Sequence, residues 1–320
     1  MDIYLVFNEL SASGEHVNQT EYEARVWMSE FEQVITAARK SGLIALKTPE
    51  DFFDTLLVKG YRIRDWLRDH SVDHEQQQRI RSAGTSLYHL PDDIAETEER
   101  RSAFEFRHGG IPALGLGSAY LLESIAVSLN TGEQWQVTSI ALDIEEFDEQ
   151  IDEIVSRQES VPHVCQTDHL PIHRDWIQDR FTTSVDYGSY LLNKCTMWFP
   201  NLLFIDNAQV QIGAMKRGTP QLRQAVRKLF ELENYCVNWR EGGFNPQQLA
   251  SKVSPESVSV RNNPQLRGLR TFVLPDQTEA FFEWHLRLTP NAWRLHFLPD
   301  AQKRMIFVGY IGEHLPTAKL

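Results

Sequence analysis

Cysteine is scarce. Cys165, Cys195 and Cys236 are the only three, too few and too odd in number for a disulfide framework. No CxxC knuckle occurs, so the local spacing that marks most structural zinc sites is missing. No apolar run approaches the length that crosses a bilayer. The start, Met1-Asp2-Ile3-Tyr4-Leu5-Val6-Phe7, lacks the basic segment and cleavage site of a secretory signal and reads as a buried first strand. These absences point to a cytoplasmic protein with no membrane partner. A phosphate loop is also missing: Leu116-Gly117-Ser118 has no following Lys or second Gly pair at the required spacing. There is no internal repeat and no low-complexity tract.

Charge is present but unevenly placed. The net charge is −12, yet residues 252–320 hold nine Lys and Arg against six Asp and Glu. An acidic body argues against indiscriminate nucleic-acid binding, which depends on many phosphate contacts. A basic C-terminal segment leaves room for one local anion site or for a charged partner.

The patterning predicts an α+β fold: an acidic, mainly helical body with an N-terminal strand and a C-terminal antiparallel sheet. Three regions are expected, at 1–110, 111–250 and 251–320. Helices are expected over 20–40 and from Thr48-Pro49 to Lys59-Gly60, and near 72–81, 167–200 and 218–239. Residues 84–110 read as a polar loop or an exposed helix, and 251–265 as a loop rich in Ser, Pro and Asn. Residues 123–142 read as a hairpin around Thr131-Gly132. Phe147, Ile151, Ile154 and Val155 keep helical spacing through the acid-dense stretch 143–159, which predicts a solvated amphipathic face or a surface for a basic partner.

Three constellations carry chemistry. His163, Cys165, His169 and His173, with Cys195 and Cys236 further on, offer zinc-type donors, although Pro171 interrupts the His169–His173 spacing. The bland reading is a His-rich helix entry with a buried thiol. Arg101 to His108 places an arginine and a histidine several residues apart, as in some metal-independent ribonucleases, or forms a solvated loop. The third is the sharpest. Residues 281–288 and 293–298 alternate apolar and polar around Pro290-Asn291, which predicts a hairpin with Arg287 opposite Arg294 and His285 opposite His296. Like charges directly opposite are unfavourable in a sheet, so the arginine pair invites an anion such as phosphate, or neutralisation by Glu283 and Asp300. A third strand is expected from Arg304 to Ile311, bringing Tyr310 and His314 to the same face. The competing reading is the solvated side of a sheet whose other side, with Trp284, Leu286, Trp293, Leu295 and Phe297, is core.

The order of that segment, with Trp293-Arg294-Leu295-His296-Phe297, an acidic turn, an apolar strand and Gly309-Tyr310-Ile311-Gly312, resembles the C-terminal half of the RelE/ParE toxin superfamily. The resemblance covers about residues 269–317. The rest of the chain is similar to bacterial proteins of comparable length that add no functional expectation. The resemblance implies a bacterial toxin or antiphage-defence effector, acting on RNA or the ribosome as a metal-independent endoribonuclease without a cofactor, and restrained by an antitoxin or defence-complex protein. His285, His296, His314 and Tyr310 are then the catalytic candidates, and Arg287, Arg294 and Arg304 the phosphate-binding ones. The alternatives are a subunit that binds nucleic acid or a partner without cutting, and a zinc-dependent hydrolase at His163, Cys165, His169 and His173.

Overall fold

The structure, a computed structural model, describes residues 3–12, 19–43, 45–83, 104–148, 153–289 and 292–317. The chain divides into two compact units, Asp2–Ile177 and Gln178–Leu320. Among the described residues no helix is long and apolar enough to cross a membrane.

The strands of the first unit are β1 (Leu5–Phe7), β2 (Leu46–Lys47), β3 (Leu56–Val58), β4 (Tyr61–Arg62), β5 (Phe104–His108), β6 (Ile111–Pro112), β7 (Ile125–Val127), β8 (Ser139–Asp148) and β9 (Glu153–Val164). Seven of them form one sheet in the order β2-β1-β7-β9-β8-β5-β6. Its first four strands run parallel and the rest antiparallel. Leu5, Val6 and Phe7 are all buried, as expected of a strand covered on both faces. The helix Glu21–Lys40 opens with a Thr20–Glu23 capping box and buries Ala24, Trp27, Met28, Phe31, Val34, Ile35 and Ala38 along one stripe. Phe31 and Phe52 both pack edge-on against Phe7 and lie tilted to each other, which anchors the helix to β1.

This unit corrects several expectations. It is built on a mixed sheet rather than being mainly helical. The acid-dense stretch falls in the paired strands β8 and β9, because Ile140, Leu142 and Ile144 alternate inward, with Asp143 between the last two on the other face. Ile154 and Val155, whose spacing suggested a helix, are exposed. β7 does not pair with β8; it lies parallel to β9, so the 123–142 hairpin does not form. The helix expected at 49–59 is a 3₁₀ turn, Phe52–Asp54, followed by the β3–β4 ribbon. Residues 84–103 of the expected loop lie outside the described residues, and Phe104–His108 is a strand. The boundary at 110 falls inside the sheet, since β5 pairs with both β6 and β8.

The second unit holds β10 (Leu202–Phe204), β11 (Val253–Pro255), β12 (Thr271–Val273), β13 (Glu279–Phe281), β14 (Trp284–Leu288), β15 (Trp293–Asp300) and β16 (Met305–Glu313). The main sheet has the order β10-β16-β15-β14-β11, antiparallel except for the parallel β10–β16 edge. One face carries Leu286, Leu288, Leu295 and Phe297, all buried. The helix Pro220–Asn238 contacts β14 and β16, and Phe244 meets Trp284 and Phe297 edge-on. The boundary expected at 250 also disappears, because β10 and this helix belong to the same body as the C-terminal sheet.

The opposite face is roofed rather than solvated. At β15–β16 the register shifts after His296: Tyr310 faces His296, Val308 faces Phe297, and Gly309 is the extra residue of a bulge. A Cβ on Gly309 would lie 2.5 Å from the Phe282 ring and 2.8 Å from Phe272, so the β12–β13 ribbon and its following residue close directly over β16. Gly309→Ala is therefore expected to destabilise this unit by about 1–3 kcal/mol through overpacking. Denaturant unfolding followed by tryptophan fluorescence measures it, and an unchanged midpoint would contradict the tight roof.

Candidate functional site

Strand alternation sets the site's floor. On β14, Leu286 and Leu288 point into the apolar core, so His285 and Arg287 take the other face. On β15, Arg294 and His296 alternate with Leu295 and Phe297 in the same way. The expected register holds: Arg287 faces Arg294 and His285 faces His296. Two residues that the sequence reading missed complete the site. Ser254 and Pro255 of β11 pair with His285 and Trp284, and the Glu256 N–H donates to the Glu283 carbonyl at 2.8 Å. The carboxylate of Glu256 is thereby brought beside His285. Asn263 caps the short helix Pro264–Gly268, and Arg270 follows it.

Glu256 is the hub. Arg270 Nε donates to Glu256 Oε1 at 2.7 Å, and both groups are almost wholly buried. The Nδ1 atoms of His285 and His296 stand 3.6 and 3.8 Å from the same oxygen. Among the described residues neither Nδ1 has a hydrogen-bond partner, and both are sealed from solvent. The two rings lie 5.3 Å apart, and Tyr310 packs edge-on against His296. The Arg270 guanidinium also donates to the carbonyls of Leu266 and Pro316, tying the roof to the chain beyond β16.

Burial governs the proton affinities. It pushes His285 down to about 4, opposed by Glu256 and reinforced by Arg294, His314 and Arg270. It pushes His296 down to about 3, with His285 and Arg270 adding to the effect. His314 is lowered by burial and then by Arg294 and Arg270. Arg294 is lowered by burial and by Arg287. Both buried imidazoles are therefore neutral near pH 7.

The mouth of the site is cationic. Arg287 and His314 are exposed and Arg294 is half-buried, with its Nε atom sealed and, among the described residues, without a partner. The neutralisation expected from Glu283 and Asp300 is not found: Glu283 sits 3.6 Å from Arg261, and Asp300 3.9 Å from Lys303. Among the described residues neither Arg287 nor Arg294 has an ion-pair partner.

Other expected site residues fall elsewhere or change role. Arg304 lies in the β15–β16 turn, six residues along β15 from Arg294 by register, roughly 20 Å away. It cannot share a phosphate with Arg287 and Arg294. His296 is 1% exposed and cannot touch a substrate. The Tyr310 hydroxyl donates to the Glu313 carbonyl at 2.7 Å, which gives it a packing and tethering role.

The zinc-type set in the first unit is spent on hydrogen bonds. His163 Nδ1–H donates to the Val137 carbonyl, and its Nε2 accepts from the Ser128 hydroxyl, each at 2.7 Å. His173 Nε2–H donates to the His163 carbonyl, and His169 Nδ1 accepts from the Cys165 N–H. Burial pushes the thiols of Cys165, Cys195 and Cys236 up to about 12, so each is a protonated thiol packed in the interior. Cys195 and Cys236 belong to the other unit. Arg107 and His108 sit on β5, and Arg101 lies outside the described residues.

Glu256, His285 and His296 do present three donor atoms within 4.8 Å of one another. The Arg270 guanidinium already supplies the cation there. A divalent ion at ligand distance would sit about 4 Å from it, a repulsion of about 8 kcal/mol at an effective dielectric of about 20. The charge balance favours the guanidinium. No protein-family model, curated protein or solved structure matches this chain.

Proposed function

We propose that the chain is a bacterial toxin or antiphage-defence effector whose C-terminal unit binds RNA, free or on the ribosome, and cleaves it without a metal. The observation that carries the reading is the pair of facing arginines, Arg287 and Arg294, left without acidic partners beside His285 and His314. Two cations on a rigid hairpin suit one phosphodiester. Neutral His285 takes the proton of the neighbouring 2′-hydroxyl, whose oxygen attacks phosphorus. His314 donates a proton to the departing 5′-oxygen, its proton affinity raised by the phosphate between the arginines. The products are a 2′,3′-cyclic phosphate and a 5′-hydroxyl. An antitoxin or a defence-complex protein is the expected partner, and no cofactor takes part.

The second reading is a subunit that grips a phosphate backbone without cutting. It is favoured by the burial of His285, whose side chain is only 16% exposed. One experiment separates the two. Intact chain is mixed with labelled single-stranded RNA, with and without ribosomes, in EDTA. Arg287→Ala/Arg294→Ala is expected to weaken binding and to flatten the slope of log K against log salt by about 1.4, two contacts at about 0.7 each. His285→Ala/His314→Ala is expected to bind normally and to lose cleavage. If the double arginine variant binds RNA as the wild type does, both readings fall. If the wild type binds and never cuts, the second reading stands.

A further inference from the structure

We propose that Glu256 is a positioning residue: it holds the His285 ring with Nδ1–H toward its carboxylate and leaves Nε2 as the base at the arginine mouth. The role in cleavage rests on the endoribonuclease reading; the tautomer does not.

Lone pairs decide the tautomer. An ionised carboxylate only accepts. A bare Nδ1 at 3.6 Å from Glu256 Oε1 would set lone pair against lone pair, whereas an N–H there is attracted. Among the described residues His285 Nδ1 has no hydrogen-bond partner and no water access, and the Glu256 carboxylate stands 3.6 Å from it. The exposed part of the ring is therefore its other edge, which carries Nε2. A neutral imidazole has one N–H, so Nε2 keeps its lone pair.

Glu256 itself has little freedom. Arg270 Nε holds Oε1, Arg261 Nε donates to the Glu256 carbonyl at 2.9 Å, and the Glu256 N–H is bonded to Glu283. The charged and titratable groups around His285 are Glu256, Arg270, Arg294, His296 and His314. Glu256 is the one negatively charged acceptor among them. The arrangement has the logic of a carboxylate that fixes a histidine's tautomer without itself touching the substrate.

The test reads the tautomer directly in the intact chain. ¹⁵N-histidine NMR at pH 7 is expected to show His285 protonated at Nδ1. Glu256→Met/Arg270→Met removes both buried charges together, the change most compatible with folding. In that variant the Nδ1–H form is expected to lose its dominance, and kcat for RNA cleavage to fall about 100-fold with KM unchanged. Glu256→Asp should recover part of kcat. An Nε2–H tautomer in the wild type, or a folded double variant with an unchanged His285 spectrum, would overturn the proposal. If the wild type cleaves no RNA, the endoribonuclease reading fails while the spectrum still decides the tautomer.

Discussion

Arg270→Ala is expected to destabilise the C-terminal unit by about 3–5 kcal/mol, because it strands the Glu256 carboxylate in a dry interior. Two further effects act in the same direction. The variant opens a void under the roof, and it removes the donors to the Leu266 and Pro316 carbonyls. The imidazoles cannot take over at neutral pH, since burial keeps both uncharged. The contrast with Glu256→Met/Arg270→Met is the sharper part of the prediction. Removing both charges leaves no unpaired ion, so the double variant should lie far closer to wild type than Arg270→Ala alone. Equilibrium unfolding in urea, followed by tryptophan fluorescence, gives both values. Equal losses for the single and double variants would mean that the ion pair contributes nothing beyond packing.

The floor of this site was legible in the sequence because it is local. Period-two alternation on both sides of Pro290-Asn291 sets the β14–β15 register, and with it the facing arginines and histidines. The roof was not legible. Glu256 lies 29 residues before His285 and 40 before His296, in a stretch whose Ser, Pro and Asn content reads as loop. Only the pairing of β11 with β14 brings its carboxylate in. Arg270 gave no signal either, since one arginine among nine basic residues after 251 looks like surface charge until its burial is known. The first unit shows the reverse error. Ile151, Ile154 and Val155 matched a helical period over a few residues, while the alternation of Ile140, Leu142 and Ile144 just upstream decided the structure. Long strands are committed by the face they bury, and that face begins before the acids do. The parallel pairing of β7 with β9 joins residues more than thirty apart in sequence, so a turn signal at Thr131-Gly132 could not reveal it.

Acidification from pH 7 to pH 4 is expected to remove on the order of several kcal/mol from the C-terminal unit, because folding holds His285 and His296 below their ordinary proton affinity. The sign follows from which state binds protons. In the unfolded chain both imidazoles titrate near 6.5; in the folded unit they titrate at about 4 and about 3. Above 6.5 neither state is charged and stability is full. As pH falls below 6.5 the unfolded chain takes up protons that the folded unit refuses, so stability drops. The loss from His285 levels off below about 4 and that from His296 below about 3. Solvent reaches part of the His285 ring and Glu256 favours its protonated form, so His296 carries the larger share. His163, pushed to about 4 by burial, gives the first unit the same dependence, which makes a wild-type curve alone ambiguous. His285→Gln/His296→Gln resolves it. In that variant the C-terminal transition should lose most of its sensitivity to pH between 6.5 and 4, while the other transition keeps its own. A wild-type C-terminal unit as stable at pH 4.5 as at pH 7 would show that the two imidazoles are not held neutral, and would remove the basis for assigning His285 as a base.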